Sequence, residues 1–105
     1  MCLFRKKDEI RFNYKSGHYG VVKKKYSDKY TSVFMSTKTT DNGRRNVPMK
    51  KNADPNDNRN SYFMKRVRTY PKNTYGRKQE HMKLTWKDRR TANKIYRKYR
   101  KRNKR

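Results

Sequence analysis

Tyr30-Thr31-Ser32-Val33-Phe34-Met35-Ser36 gathers β-branched and aromatic residues into one uninterrupted run. Branching at Cβ restricts χ1 against a preceding helical turn, and such side chains fit a pleated, partly buried surface better. The run reads as a strand. Upstream, Tyr19 to Tyr26 carries Val21 and Val22 followed by a lysine triplet, and Ser27-Asp28 is a turn pair. The two segments form a hairpin around Ser27-Asp28-Lys29. Further upstream, Ile10-Arg11-Phe12-Asn13-Tyr14 alternates apolar and polar, the period of a half-buried strand, until Ser16-Gly17 breaks it. Downstream, Thr37 to Arg45 contains Asp41-Asn42-Gly43, a turn signal because Asn and Gly tolerate positive φ. A short strand is expected at residues 46–49. Residues 52–60, rich in Asn and Asp, have almost nothing to bury and read as a loop. Ser61 to Tyr70 is another strand, ended by Pro71, and the mixed pattern of residues 71–83 leaves that stretch unassigned.

The last third changes period. Thr85 is placed to cap a helix, and Asp88 supplies an acid to its first turn. Ala92, Ile95, Tyr96 and Tyr99 then recur at helical spacing, opposite Arg90, Lys94, Arg97, Lys98 and Lys101. Arg100 to Arg105 is expected to fray into a basic tail. The fold class is mainly β with a C-terminal helix, either a small antiparallel sheet or an SH3-like partly open barrel. Residues 1–96 read as a single small β-rich domain including the start of the helix, and residues 97–105 as the basic helix end and tail.

Charge is the strongest pointer to function. The 105 residues include 33 Lys and Arg against 8 Asp and Glu, a formal net charge of +25. Self-repulsion at this density opposes a compact state, and a polyanion relieves it with release of condensed counterions. Nucleic acid is therefore the expected partner. Nine Tyr, four Phe and one Trp argue that the chain packs instead of remaining a disordered tail. The single Cys2 has no partner for a disulfide or a zinc site and reads as a free thiol. No apolar run is long enough to span a bilayer, and MCLFRKKDEI resembles no signal peptide, so a cytoplasmic location is expected. No cofactor and no metal are expected. Asp54 and Asp57 lie three apart but sit in turn chemistry, with no ligand spacing.

Several segments place cations beside rings. They are Lys23-Lys24-Lys25-Tyr26, Arg66-Val67-Arg68-Thr69-Tyr70, and Tyr96 to Arg100. Rings stack on unpaired bases while cations follow the backbone. On strand periodicity Arg66, Arg68 and Tyr70 project together with Tyr62 and Met64. Tyr96 and Tyr99 fall on the helix's apolar face and read as core. The candidate nucleic-acid contacts are Lys23, Lys24, Lys25, Tyr26, Arg44, Arg45, Arg66, Arg68, Tyr70, Arg97, Lys98 and Lys101. RNA cleavage by its own 2′-hydroxyl needs a base, an acid and cations around the phosphorane. His18, after Gly17 in a loop that opens a strand, is placed for the base, because imidazole titrates near neutrality. His81, in a polar run, reads as a surface residue.

The order of these motifs resembles the PemK/MazF-like toxins over residues 16–99. Gly17-His18-Tyr19-Gly20-Val21-Val22 is similar to their loop leading into a Val-rich strand. Ser32 to Thr37 is similar to their second-strand segment, Ser61 to Tyr70 to a later strand, and Leu84 to Asp88 to the start of the closing helix. The resemblance implies an SH3-like barrel, metal-independent endoribonuclease activity, and a homodimer neutralised by a small acidic antitoxin. It also implies a catalytic pair of a loop Arg and a strand-end hydroxyl. Ser36 or Thr37 matches the hydroxyl, whereas Gly17-His18 stands where the Arg belongs. That departure either removes catalysis or moves the acid–base role to another side chain. The competing reading is a non-catalytic basic module bound to RNA or DNA within a larger nucleoprotein machine, ribosome-associated or a phage-encoded inhibitor. Binding to a membrane surface is set aside, because the helix's narrow apolar face is needed for the core.

Overall fold

The computed structural model describes residues 8–103. Cys2 lies outside that range. The elements run β1 (Ile10–Asn13), β2 (His18–Lys25), β3 (Lys29–Ser36), β4 (Thr40–Asp41), β5 (Arg44–Arg45), β6 (Val47–Pro48) and β7 (Tyr62–Pro71). A single 3-10 turn (Lys72–Thr74) leads into β8 (Tyr75–Lys78), and α1 (Trp86–Asn103) closes the chain. Six strands form one antiparallel sheet in the order β6-β7-β3-β2-β1-β8, and β4 pairs with β5 in a separate hairpin. The sheet is not closed into a barrel.

β3 lies inside the sheet and is buried from Tyr30 through Met35. Both of its faces are covered, which is why the run lacks polar alternation. Val33 and Met35 face Ile10, Val21, Phe63, Val67, Met82, Leu84 and Ala92, with Ile95, Tyr96 and Tyr99 of α1 packed at the margin. Tyr30 and Phe34 face the other way, against Tyr75, with Val22, Met64 and Tyr70 around them. β8 is separated from β3 by two strands, roughly 14 Å in a flat sheet. The Tyr75 hydroxyl nevertheless donates to the Tyr30 carbonyl at 3.3 Å and hydrogen-bonds the Ser32 hydroxyl at 2.9 Å. The sheet therefore curls so that β8 covers the face away from the helix. Gly20 pairs with Phe34, and a Cβ at Gly20 would lie 2.7 Å from the ring. The bare backbone lets the Phe34 ring lie flat on β2.

Helix α1 starts as its sequence dictates. The Thr85 hydroxyl accepts the Asp88 backbone N–H at 3.1 Å. The Asp88 carboxylate, only 1% exposed, accepts the backbone N–H groups of Lys50 and Lys51 at 2.8 and 3.2 Å. It thus ties the long 49–61 connection to the helix. That connection is more ordered than its composition implies. Ala53 is buried in the core, and Asn52, Asp54 and Asp57 each accept a backbone N–H two residues on. The helix also continues to Asn103 through the expected fraying segment, and residues 104–105 lie outside the described range. Tyr96 and Tyr99 stack on one another against the core, as their spacing predicts.

Candidate nucleic-acid interface

β7 is much longer than β6, which covers only its Tyr62 and Phe63. The neighbouring space is bounded by α1 on one side and the β4–β5 hairpin on the other. That hairpin turns through Asn42 (φ 50°) and Gly43 (φ 77°), both left-handed as a tight two-residue turn requires. Asn46, buried behind it, donates its backbone N–H to Thr39 and its side-chain amide to Lys38, at 2.8 and 2.9 Å. These bonds fix Arg44 and Arg45 beside β6. A groove of about 650 Å³ results. Val47, Val67, Ile95 and Tyr99 line it with apolar surface, and Arg44, Arg45, Lys65, Arg66, Lys98 and Arg102 supply the cations. All six cations are exposed, no acidic residue lines the groove, and none of the six pairs with a carboxylate among the described residues. The register between β3 and β7 slips between Val33–Val67 and Met35–Phe63, so β7 carries extra residues at Met64 to Arg66. This bulge lies where Lys65 and Arg66 meet the groove.

The candidate catalytic residues gather elsewhere. Gly17, at φ 75°, turns the chain from β1 into β2, and the Asn13–His18 pairing sets His18 at the start of β2. Ser36 ends β3 opposite Tyr62. His18, Ser36 and Thr37 line one cleft of about 220 Å³, together with Asn52, Asp54, Asp57, Arg59 and Ser61. The Ser36 hydroxyl accepts the Lys38 N–H at 3.1 Å. Arg59 is clamped on Asp57 through two side-chain bonds of 3.0 and 2.7 Å, and the guanidinium holds that carboxyl down to about 2. The charged lining of Asp54, Asp57 and Arg59 sums to one negative charge. The cleft therefore unites the proposed base and hydroxyls but surrounds them with the wrong sign for a phosphate.

The lysine triplet is partly spoken for. Lys23 is half-buried, and its ammonium hydrogen-bonds the Asn93 side chain. Burial lowers its pKa, with Asp8 opposing and Arg89 adding to the fall. Lys25 bonds Glu9 at 2.7 Å. Burial pushes Glu9 upward, but the bonds from Lys25 and Arg11 outweigh it and hold its carboxyl below the ordinary range. Lys24 and Lys29 each lie 5.2 Å from the exposed ring of Tyr26. Arg68 sits opposite Ser32, and Tyr70 packs edge-on against Phe34.

Of the sequence-predicted contacts, Arg44, Arg45, Arg66 and Lys98 meet in the groove. Arg97 and Lys101 lie exposed along α1. Lys65 and Arg102 join the groove without having been singled out. Lys65 precedes the predicted pair on β7, and Arg102 fell in the segment read as a tail. Arg59 was missed because its Asn-rich surroundings read only as a turn. Among the described residues no cluster of three or more His, Cys, Asp or Glu side chains is placed to hold a metal. None of their helices is long and apolar enough to cross a membrane. No family model, curated protein or solved structure matches the chain. Fold and groove define a basic, mainly β domain whose sheet and helix frame a cationic channel.

Proposed function

We propose that the protein binds nucleic acid, with RNA as the favoured polymer, through the groove between β7, the β4–β5 hairpin and α1. The observation that carries this reading is the sign and density of charge there. Six exposed cations surround an apolar floor without one acid. Held together without counter-charge they repel, and a phosphate backbone removes that repulsion while releasing counterions. The half-buried ring of Tyr99 in the floor offers apolar surface to an unpaired base, which RNA loops and ends present more often than DNA does. The test is anisotropy of a labelled mixed-sequence RNA across a salt series. If each cation takes one phosphate, log affinity falls against log salt with a slope of about −4. Arg66→Gln and Lys98→Gln each reduce the slope by about 0.7, whereas Arg77→Gln, outside the groove, leaves it unchanged. A flat salt response would remove nucleic acid as the partner.

A second reading, metal-independent RNA cleavage, is favoured by the meeting of His18 with Ser36 and Thr37 in one cleft. The PemK/MazF-like resemblance implies a strand-end hydroxyl at that place. In this reading His18 takes the 2′ proton as the 2′ oxygen attacks phosphorus, Arg59 must leave Asp57 to face the phosphorane, and the P–O5′ bond breaks as the 5′ oxygen takes a proton from water. Incubation with RNA in EDTA should then give 2′,3′-cyclic phosphate ends, lost in His18→Ala. Intact RNA beside tight, salt-dependent binding leaves the groove reading alone standing.

A further inference from the structure

Trp86 is the largest side chain in the protein, and it stands in solvent. It opens α1 and is 58% exposed. The Lys87 ammonium and the Arg90 guanidinium lie 5.7 and 5.8 Å from its ring. Leaving an indole in water forfeits burial that a small, sparsely apolar domain would otherwise use. The residues that follow explain what the exposed ring is beside. Steps of four, four, three and four residues place Trp86, Arg90, Lys94, Arg97 and Lys101 on one face of the helix, and all five are exposed. The only acid in α1, Asp88, is buried and turned to Lys50 and Lys51. The face is therefore an unbroken cationic track of about 22 Å at 1.5 Å per residue, with one aromatic ring at its start. Lys98 lies on α1 between Arg97 and Lys101 and carries the track round to the groove.

We propose that Trp86 is a base-stacking residue, so that the strand held in the groove continues along α1 single-stranded and places an unpaired base on the indole. This rests on the groove reading and adds the state of the polymer to it. A ring with two cations beside it meets a nucleotide's two demands at once, since the base stacks on the ring and the flanking phosphates draw off the ammonium and guanidinium. A duplex offers only phosphates to this face and keeps its bases paired, leaving the indole in water.

The chain contains one Trp, so its intrinsic emission reports this position alone. The full-length protein is titrated with a mixed-sequence RNA 12-mer, the same strand as DNA, and the RNA paired to its complement. Binding is followed in parallel by anisotropy of a labelled strand. Trp emission should be quenched by the single strands and not by the duplex, and the RNA and DNA arms rank the two sources. Trp86→Ala should weaken single-strand binding about tenfold, with duplex binding and the salt slope unchanged, because stacking neutralises no phosphate. Trp86→Phe should recover most of the loss. Salt-dependent single-strand binding with silent Trp emission, or equal loss of single-strand and duplex binding in Trp86→Ala, overturns the inference and leaves the groove reading intact. No binding by any polymer removes both.

Discussion

Asp88 shows how much one acid does in a chain this basic. Its carboxylate is buried at the first turn of α1, where the helix dipole favours a negative charge, and it accepts two backbone N–H groups from Lys50 and Lys51. Hydrogen bonds to a charged acceptor contribute about 1.5–3 kcal/mol each, and the stranded donors here are partly open to water. Asp88→Ala should therefore lower stability by about 2–4 kcal/mol, read as a shift of the urea midpoint at constant m-value. Asp88→Asn keeps one acceptor oxygen and should recover part of the loss. Asp57, half-buried and paired with the exposed Arg59, is the contrasting acid, and Asp57→Ala should lower the midpoint by clearly less than Asp88→Ala does. If the two alanine variants unfold alike, Asp88 does not hold the 49–61 connection to the helix.

If the groove binds RNA as proposed, the β4–β5 hairpin separates that binding from stability at the scale of an element. It lies outside the main sheet and carries Arg44 and Arg45 to the groove wall. Gly43 has φ 77°, which a β-branched residue adopts only with strain. Gly43→Val should lower RNA affinity several-fold, with the melting temperature nearly unchanged, as two-residue strands bury little. Asn42→Gly keeps the turn and should bind normally. A melting transition that falls with the affinity would mean that the hairpin supports the core. The same element marks how far the sequence could be read. β1, β2, β3 and β7 were legible within a residue or two, because alternation and β-branching act locally. The Asn42-Gly43 turn was legible too, but its flanking strands were not, since Thr40-Asp41 and Arg44-Arg45 have no apolar period. β8 was hidden because Tyr75-Gly76-Arg77-Lys78 owes its pairing to β1 and its burial to the curl of the sheet. The meeting of His18, Ser36 and Thr37 followed from strand ends. The groove did not, because it depends on the rotation of α1 and on the β7 bulge, which are tertiary facts.

At the scale of the whole molecule, stability and the proposed binding draw on the same excess of charge. The acid side of the pH profile follows from the paired carboxylates. Asp57, lowered to about 2 by Arg59, and Glu9, lowered by Lys25 and Arg11 against the effect of burial, both titrate below their unfolded values in the folded chain. Their contribution is complete above the unfolded carboxylate range and fades as the pH falls from about 5 toward 2. Each protonation also raises a net charge that starts at +25, so self-repulsion grows as the compensating pairs disappear. The melting temperature should fall across that window and respond again on the alkaline side, where Lys23, held down by burial, and Tyr75, pushed up by burial, titrate. Anions should counter the fall in proportion to how well they seat among the groove cations. At neutral pH and matched ionic strength, sulfate should raise the melting temperature more than chloride does. A double Arg66→Gln, Lys98→Gln variant should lose most of that difference and melt higher than the parent in dilute chloride, because removing two of six crowded like charges relieves repulsion. Binding and stability would then move in opposite directions in one variant, weaker for RNA and firmer on its own. A double variant that melts lower than the parent in dilute chloride would show that the groove cations hold the fold together, and that their crowding needs a cause other than a polyanion.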